Sequence, residues 1–177
     1  MLAGLDDLGL RATFFVVGEQ AVRLPAVIRE VAAAGHEVAL HGYRHLPHAL
    51  MPPAVVMRDL ARGQQEIESI LGHRLRAVRA PFGAVSLATL RFAGRHGLVV
   101  AGWSRWGWDW TRQVTPASIA RSLTSGVGSG DILLLHDSDA YAAAESWRRT
   151  VAALPMIASA LRARRLAARR LVDVWRP

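Results

Sequence analysis

The eight residues Val38-Ala39-Leu40-His41-Gly42-Tyr43-Arg44-His45 decide how the chain is read. Val38 to Leu40 spell the apolar end of a short buried strand, and His41 leaves its top. His45 follows four residues later, a separation that one helical turn or a tight loop folds onto a single cation. Two surface histidines in a loop have the same spelling, so the spacing alone leaves both readings open. The pattern recurs further along. Arg79 in Arg79-Ala80-Pro81-Phe82-Gly83, Asp109 before Trp110, and His136 after Leu134-Leu135 each sit just beyond an apolar, strand-like run. Polar groups at the ends of separate strands are how one rim of a parallel sheet looks in sequence, and such rims build sites.

Outward from that stretch, strands and helices alternate. Residues 12–17 form a β-branched and aromatic run closed by Gly18, the pattern of a strand buried on both faces. A helical turn is expected from Glu19, and a helix from Pro25 to Gly35. Residues 36–40 are the next strand, and the loop to Pro53 holds Pro47 and Pro52. Val56, Leu60, Ile67 and Leu71 fall on one helical face that stops at Gly72. Further strands are expected at 75–78, 98–103, 131–135 and 171–175. Helices are expected from Ser86 to Gly97, from Thr115 as cap with Pro116 in the first turn, and from Trp147, with Pro155 kinking or splitting the last. Asp6 and Asp7 suit the solvated end of a first helix. Short αβ turns and long βα loops make this a parallel α/β fold, and no linker or repeat divides residues 1–177, which read as one domain.

Composition narrows the function classes. The 177 residues contain no cysteine, which excludes disulfides and thiolate metal sites. No apolar run reaches the length of a membrane span, and no signal-peptide pattern opens the chain, which leaves the compartment undetermined. The net charge of +8 is mostly arginine spread through helices. The densest run, with Arg162, Arg164, Arg165, Arg169 and Arg170, reads as a solvated helix face rather than a nucleic-acid surface. His36, His48, His73 and His96 read as surface or supporting residues. Trp103, Trp106, Trp108 and Trp110 crowd one strand and loop, either as core or as a face for stacking sugars.

Taken together, residues 13–18, Gly35-His36-Glu37-Val38, His41 to His45, Arg79 to Gly83, Asp109-Trp110 and Leu134 to His136 resemble, in order and spacing, the polysaccharide deacetylases. These are the NodB-homology proteins of carbohydrate esterase family 4, and the resemblance runs along almost the whole chain. It implies a distorted (β/α) barrel and a metal-dependent hydrolase that removes N-acetyl groups from N-acetylglucosamine-type carbohydrates. It implies a divalent metal, most often zinc, with His41 and His45 as ligands. Arg79 resembles the arginine that orients the catalytic base, Asp109 the acid that pairs with it, and His136 the general acid. Pro81, Phe82, Gly83 and Trp110 resemble walls of the substrate groove, and Leu134 part of the acetyl-methyl pocket.

Two departures stand out. The family's Thr-Phe-Asp-Asp-Gly motif, which supplies the base and a third ligand, belongs further upstream than Met1. The barrel is therefore expected to be incomplete at its N-terminal strand, the chain to be a poor catalyst, and the bare edge of the strand at residues 12–17 to invite a homodimer. Trp106 also stands where many members have an aspartate. A non-catalytic, carbohydrate-binding relative of the same fold is the alternative function. Nucleic-acid binding, motivated by charge alone, is the weakest.

Overall fold

A computed structural model describes residues 1–175. In chain order the elements are α1 (Leu2–Asp7), β1 (Thr13–Val16), α2 (Gly18–Arg23), α3 (Pro25–Ala33), β2 (Glu37–Leu40), α4 (Pro53–Leu71), β3 (Ala77–Val78), α5 (Leu87–His96), β4 (Val99–Val100), β5 (Arg105–Trp106), α6 (Pro116–Thr124), β6 (Leu133–Leu134), α7 (Ser146–Ala163) and α8 (Leu171–Val174). Short 3-10 turns occupy His48–Leu50 and Pro81–Gly83. The chain divides into two compact units. One comprises residues 12–102 with the segment from Arg169 onward; the other joins residues 1–11 to residues 103–168.

The first unit is built on a parallel sheet of order β1-β2-β3-β4. Its register places Val16 beside Leu40, Leu40 beside Val78, and Val78 beside Val100. The strand residues Val38, Ala39, Leu40 and Val78 are buried, as the unbroken apolar spelling requires. Helix α4 buries Val56, Asp59, Leu60, Gly63 and Ile67, one stripe at helical spacing, and ends at Gly72 in the left-handed conformation. Ser86 caps α5 through a reciprocal pair of bonds with Thr89. β1 stands at the end of the strand order.

The second unit carries the parallel pair β5–β6, with Arg105 beside Leu133 and Trp106 beside Leu134. Its core joins Ile119, Ala120 and Leu123 of α6 to Ala153, Ile157 and Leu161 of α7. Thr115 caps α6 with Pro116 in the first turn, as expected.

The α/β class with parallel strands stands as expected, its described strands forming these two sheets rather than one closed ladder. Four expectations need correction. Residues 171–174 form a helical turn rather than a strand: Arg170 and Asp173 bond each other's backbone and side chains, which closes a turn there. The strand β5 lies inside what reads as loop, because Gly102 and Gly107 hide a two-residue ladder. Helix α7 is not split at Pro155, which sits on its exposed side, where water can take the carbonyl that the ring leaves unbonded. The arginine run is not one helix face either. α7 stops at Ala163, and Arg165 adopts positive φ just beyond it.

Candidate active site

The histidine pair grows out of strand register. His41 N–H donates to Val16 O and Arg79 N–H to Leu40 O, both at 2.9 Å, so each residue continues the ladder one step past its strand. Adjacent strand ends thus put His41 beside Arg79. The Arg79 carbonyl accepts a 2.7 Å bond from His41 Nδ1. That bond makes Nδ1 the protonated nitrogen and leaves Nε2 as the lone-pair donor, the arrangement found behind metal-ligating histidines. The ring centroids of His41 and His45 lie 5.1 Å apart at 60°. Two imidazoles sharing a tetrahedral zinc, at Zn–N of about 2.0–2.1 Å, have centroids about 5 Å apart. The pair therefore fits a cation in chemistry and spacing. It falls short in number: among the described residues no three His, Cys, Asp or Glu side chains gather to hold an ion, whereas catalytic zinc sites use three protein ligands.

The loop between the two histidines is clamped from both sides. The first N–H groups of α2, from Gly18 and Glu19, donate to Gly42 O and Tyr43 O at 2.9 Å. From α4, the buried Asp59 carboxylate accepts from Tyr43 N at 2.8 Å and Arg44 N at 3.2 Å, and also contacts Arg44 Nε at 3.4 Å. Gly42 has φ of +79°, and a Cβ there would lie 2.8 Å from Asp59 Oδ2. A Cβ on Gly63 would meet the Gly42 carbonyl and Tyr43 N at 2.8 Å. Helix and loop approach backbone to backbone, so both positions require glycine. His48 lies behind the loop, fully buried, with Nδ1 3.1 Å from Thr89 Oγ1. Burial pushes its pKa below the ordinary value, against the opposing pull of the Asp59 charge. His36 is buried too, its Nδ1 accepting Ala12 N–H, so these two take the supporting place, while His73 and His96 are exposed, the two alternatives that the sequence offers.

Arg79 is held by the sheet itself. Its Nε donates to Ala101 O at 3.2 Å and its Nη2 to Gly102 O at 2.8 Å, and the guanidinium stacks 3.9 Å from the Phe15 ring centroid. Burial draws its pKa down to about 10. Pro81 is buried, while Phe82 is exposed at positive φ of 58° with Gly83 following at 68°. The Phe82 ring rests 4.3 Å from that of His45. A phenylalanine in the left-handed region is a strained choice, and such choices gather at functional sites.

Asp109 and His136 form the second cluster. Trp106 pairs with Leu134, so residues three beyond the first and two beyond the second come together. Asp109 is fully buried. Its Oδ1 lies 2.9 Å from His136 Nδ1, and its Oδ2 accepts His136 N at 2.7 Å and Thr150 Oγ1 at 2.9 Å. Asp109 thus engages His136 and Thr150 within its own unit, two partners beyond the arginine that the sequence suggests. The carboxylate fixes the imidazole with Nδ1 as donor, so Nε2 is the nitrogen offered to a ligand, on a side chain 39% exposed. The Trp110 ring lies 5.2 Å from that of His136, and Leu134 is buried on β6. Asp59, Thr150 and the glycine clamp escaped the sequence reading. Asp59 had a signal, a carboxylate in the apolar stripe of α4.

Comparison with known proteins bears on this geometry. The family model of polysaccharide deacetylases matches residues 1–101. A chitooligosaccharide deacetylase of a Bradyrhizobium species (strain ANU 289) is 35% identical over 127 residues, covering 71% of this chain and 58% of its own length. This chain thus spans little more than half of that relative. Among solved structures, a family 4 carbohydrate esterase from Streptomyces lividans, in complex with acetate, superposes with a TM-score of 0.84 at 29% identity, covering 94% of this chain and 82% of its own. A family 4 acetyl xylan esterase from Clostridium thermocellum, in complex with a cobalt ion, gives 0.87 at 27%, covering 98% and 80%.

Proposed function

We propose, from the premise that this chain belongs to the polysaccharide deacetylase family, that it is a domain for hydrolysing the N-acetyl groups of N-acetylglucosamine-type carbohydrates. The observation that carries the reading is the buried Asp109 holding His136 with Nε2 outward. An amide is a poor electrophile with a poor leaving group, and its amine departs only with a proton. His136 Nε2 is the group that would deliver it, and Asp109 and Thr150 fix the ring for that transfer. His41 and His45 would hold a divalent cation, zinc by preference for two imidazoles. Bound there, the cation supplies polarisation of the carbonyl and an acidified water. Arg79 supports this corner twice, through its carbonyl on His41 Nδ1 and through a guanidinium that ties the strand ends together. By the family resemblance, Pro81, Phe82, Gly83 and Trp110 would contact the substrate, and Leu134 would back the acetyl methyl. Association through the terminal strand β1 belongs to the same reading; a monomer in concentrated light scattering removes it.

Among the described residues no third His, Cys, Asp or Glu gathers with His41 and His45 to hold an ion, and the Thr-Phe-Asp-Asp-Gly motif that would take the proton of the attacking water is not spelled in these 177 residues. The chain by itself is therefore a slow catalyst. The test is acetate release from chitooligosaccharides with zinc or cobalt. A version carrying a Thr-Phe-Asp-Asp-Gly segment ahead of Met1 is expected to be about 10²–10⁴-fold faster. Equal turnover by the two would sink the account of the base, and no acetate from either would sink the function. The two-donor set also favours a second reading, a carbohydrate-binding relative without turnover, which sugar binding with no acetate release would establish.

A further inference from the structure

From Trp103 to Trp110 the chain alternates. Gly107 and Asp109 are buried, and Trp106 and Trp108 between and before them are exposed. The alternation is enforced. A Cβ on Gly107 would lie 2.8 Å from Ile119 Cγ2 and 3.2 Å from its Cα, so this point of the chain is pressed onto α6. Asp109 is anchored by His136 and Thr150. Between these two anchors Trp108 takes positive φ of 55°, and its carbonyl accepts both the N–H and the hydroxyl of Thr111 at 3.0 and 2.9 Å. An indole is thus held outward by a strained, bonded turn, 52% exposed, with Trp106 beside it at 39%. The rings form a continuous series: Trp106 to Trp108 at 6.0 Å, Trp108 to Trp110 at 5.2 Å, Trp110 to His136 at 5.2 Å.

We propose that Trp106 and Trp108 are stacking subsites for an oligosaccharide whose reacting unit lies at His136. The proposal rests on the carbohydrate reading above, and deepens it by assigning the subsites that select for chain length. The chemistry is specific. One face of a pyranose presents C–H groups, which pack on the electron-rich face of an indole, while its hydroxyls stay in water or meet the indole N–H. Exposed aromatics held rigid lose little side-chain entropy when covered. The series begins at the imidazole offered to substrate and leads away from it, so a ligand reaching it is one already seated at His136. A single sugar ring cannot cover three successive indoles, so a longer ligand is required.

The experiment is calorimetric titration of the whole chain with N-acetylglucosamine and its β-linked oligomers of two to five units, in parallel with Trp106→Ala, Trp108→Ala, Trp108→Phe and, as control, Trp175→Ala. Far-ultraviolet circular dichroism checks that each variant is folded. In the parent, affinity is expected to rise with oligomer length, by about two- to tenfold for each ring engaged. Trp106→Ala and Trp108→Ala should each remove one step of that rise, while monosaccharide binding stays unchanged. Trp108→Phe should keep most of its step and Trp175→Ala all of it. A rise that survives both alanine variants, or a parent that binds monosaccharide and pentasaccharide alike, overturns the ladder while leaving the deacetylase reading standing. A folded parent that binds no sugar of any length overturns both.

Discussion

His41 and His45 are placed by backbone, whereas His136 is placed by a side chain. At the first corner the loop is gripped through its peptide groups, by α2 from one side and Asp59 from the other, and two glycines let the main chains touch. At the second, two strands in register bring up a carboxylate and an imidazole, and one further hydroxyl completes the set. The first corner should fail when bulk or charge changes far from the histidines. The second should fail only when its own members change.

The largest effect is expected from Gly63→Ala. Its methyl would arrive 2.8 Å from the Gly42 carbonyl and Tyr43 N, which are backbone atoms that cannot swing aside. A loss of about 3 kcal/mol in urea unfolding is expected, with cobalt affinity reduced as well, although residue 63 touches neither histidine ring. Next comes Asp59→Ala, which strands the N–H groups of Tyr43 and Arg44 and should cost about 2 kcal/mol. Asp59→Asn, keeping one acceptor oxygen, should recover part of it. Equal stability of Asp59→Ala and parent would show that α2 alone holds the loop.

Thr150→Val probes the other corner. It removes one bond to Asp109 Oδ2 without changing shape, so about 1 kcal/mol is expected, with cobalt binding untouched. A change in cobalt affinity would count against assigning the cation to His41 and His45 alone. The smallest effect is a pH dependence. The folded pKa of His48 lies below the unfolded value of 6.5, so the unfolded chain binds the extra proton in the window beneath 6.5. The neutral-His48 contribution is complete above that value and declines as pH falls through the window. His48→Gln should flatten the acid side of a stability–pH curve, while an unchanged slope would assign it to other groups.

The sequence shows these two corners unequally. His41, Arg79, Asp109 and His136 all follow apolar runs, and all four do lie at or just past strand ends, because period and burial fix where a parallel strand stops. The partner of Asp109 was not legible, since it depends on the register of β5, a two-residue strand between glycines that leaves no periodic trace. The clamp was half legible. A lone carboxylate among Val56, Leu60 and Ile67 is visible as an anomaly, but its target, the N–H groups of a loop 15 and 16 residues away, is a tertiary fact. Helix α8 was misread because Leu171 and Val172 spell a strand, and only the Arg170–Asp173 pairing bends them. The indoles could be read either way until their exposure was known.

The central claim is that the loop presents His41 and His45 as a ready-made pair for one divalent cation. Its most direct test is calorimetric titration of cobalt into the chain and into His41→Ala, His45→Ala and Asp109→Asn. One equivalent should bind the parent, each histidine variant should bind at least about tenfold more weakly, and Asp109→Asn should match the parent. Cobalt binding of equal strength in the parent and in both histidine variants would contradict the claim.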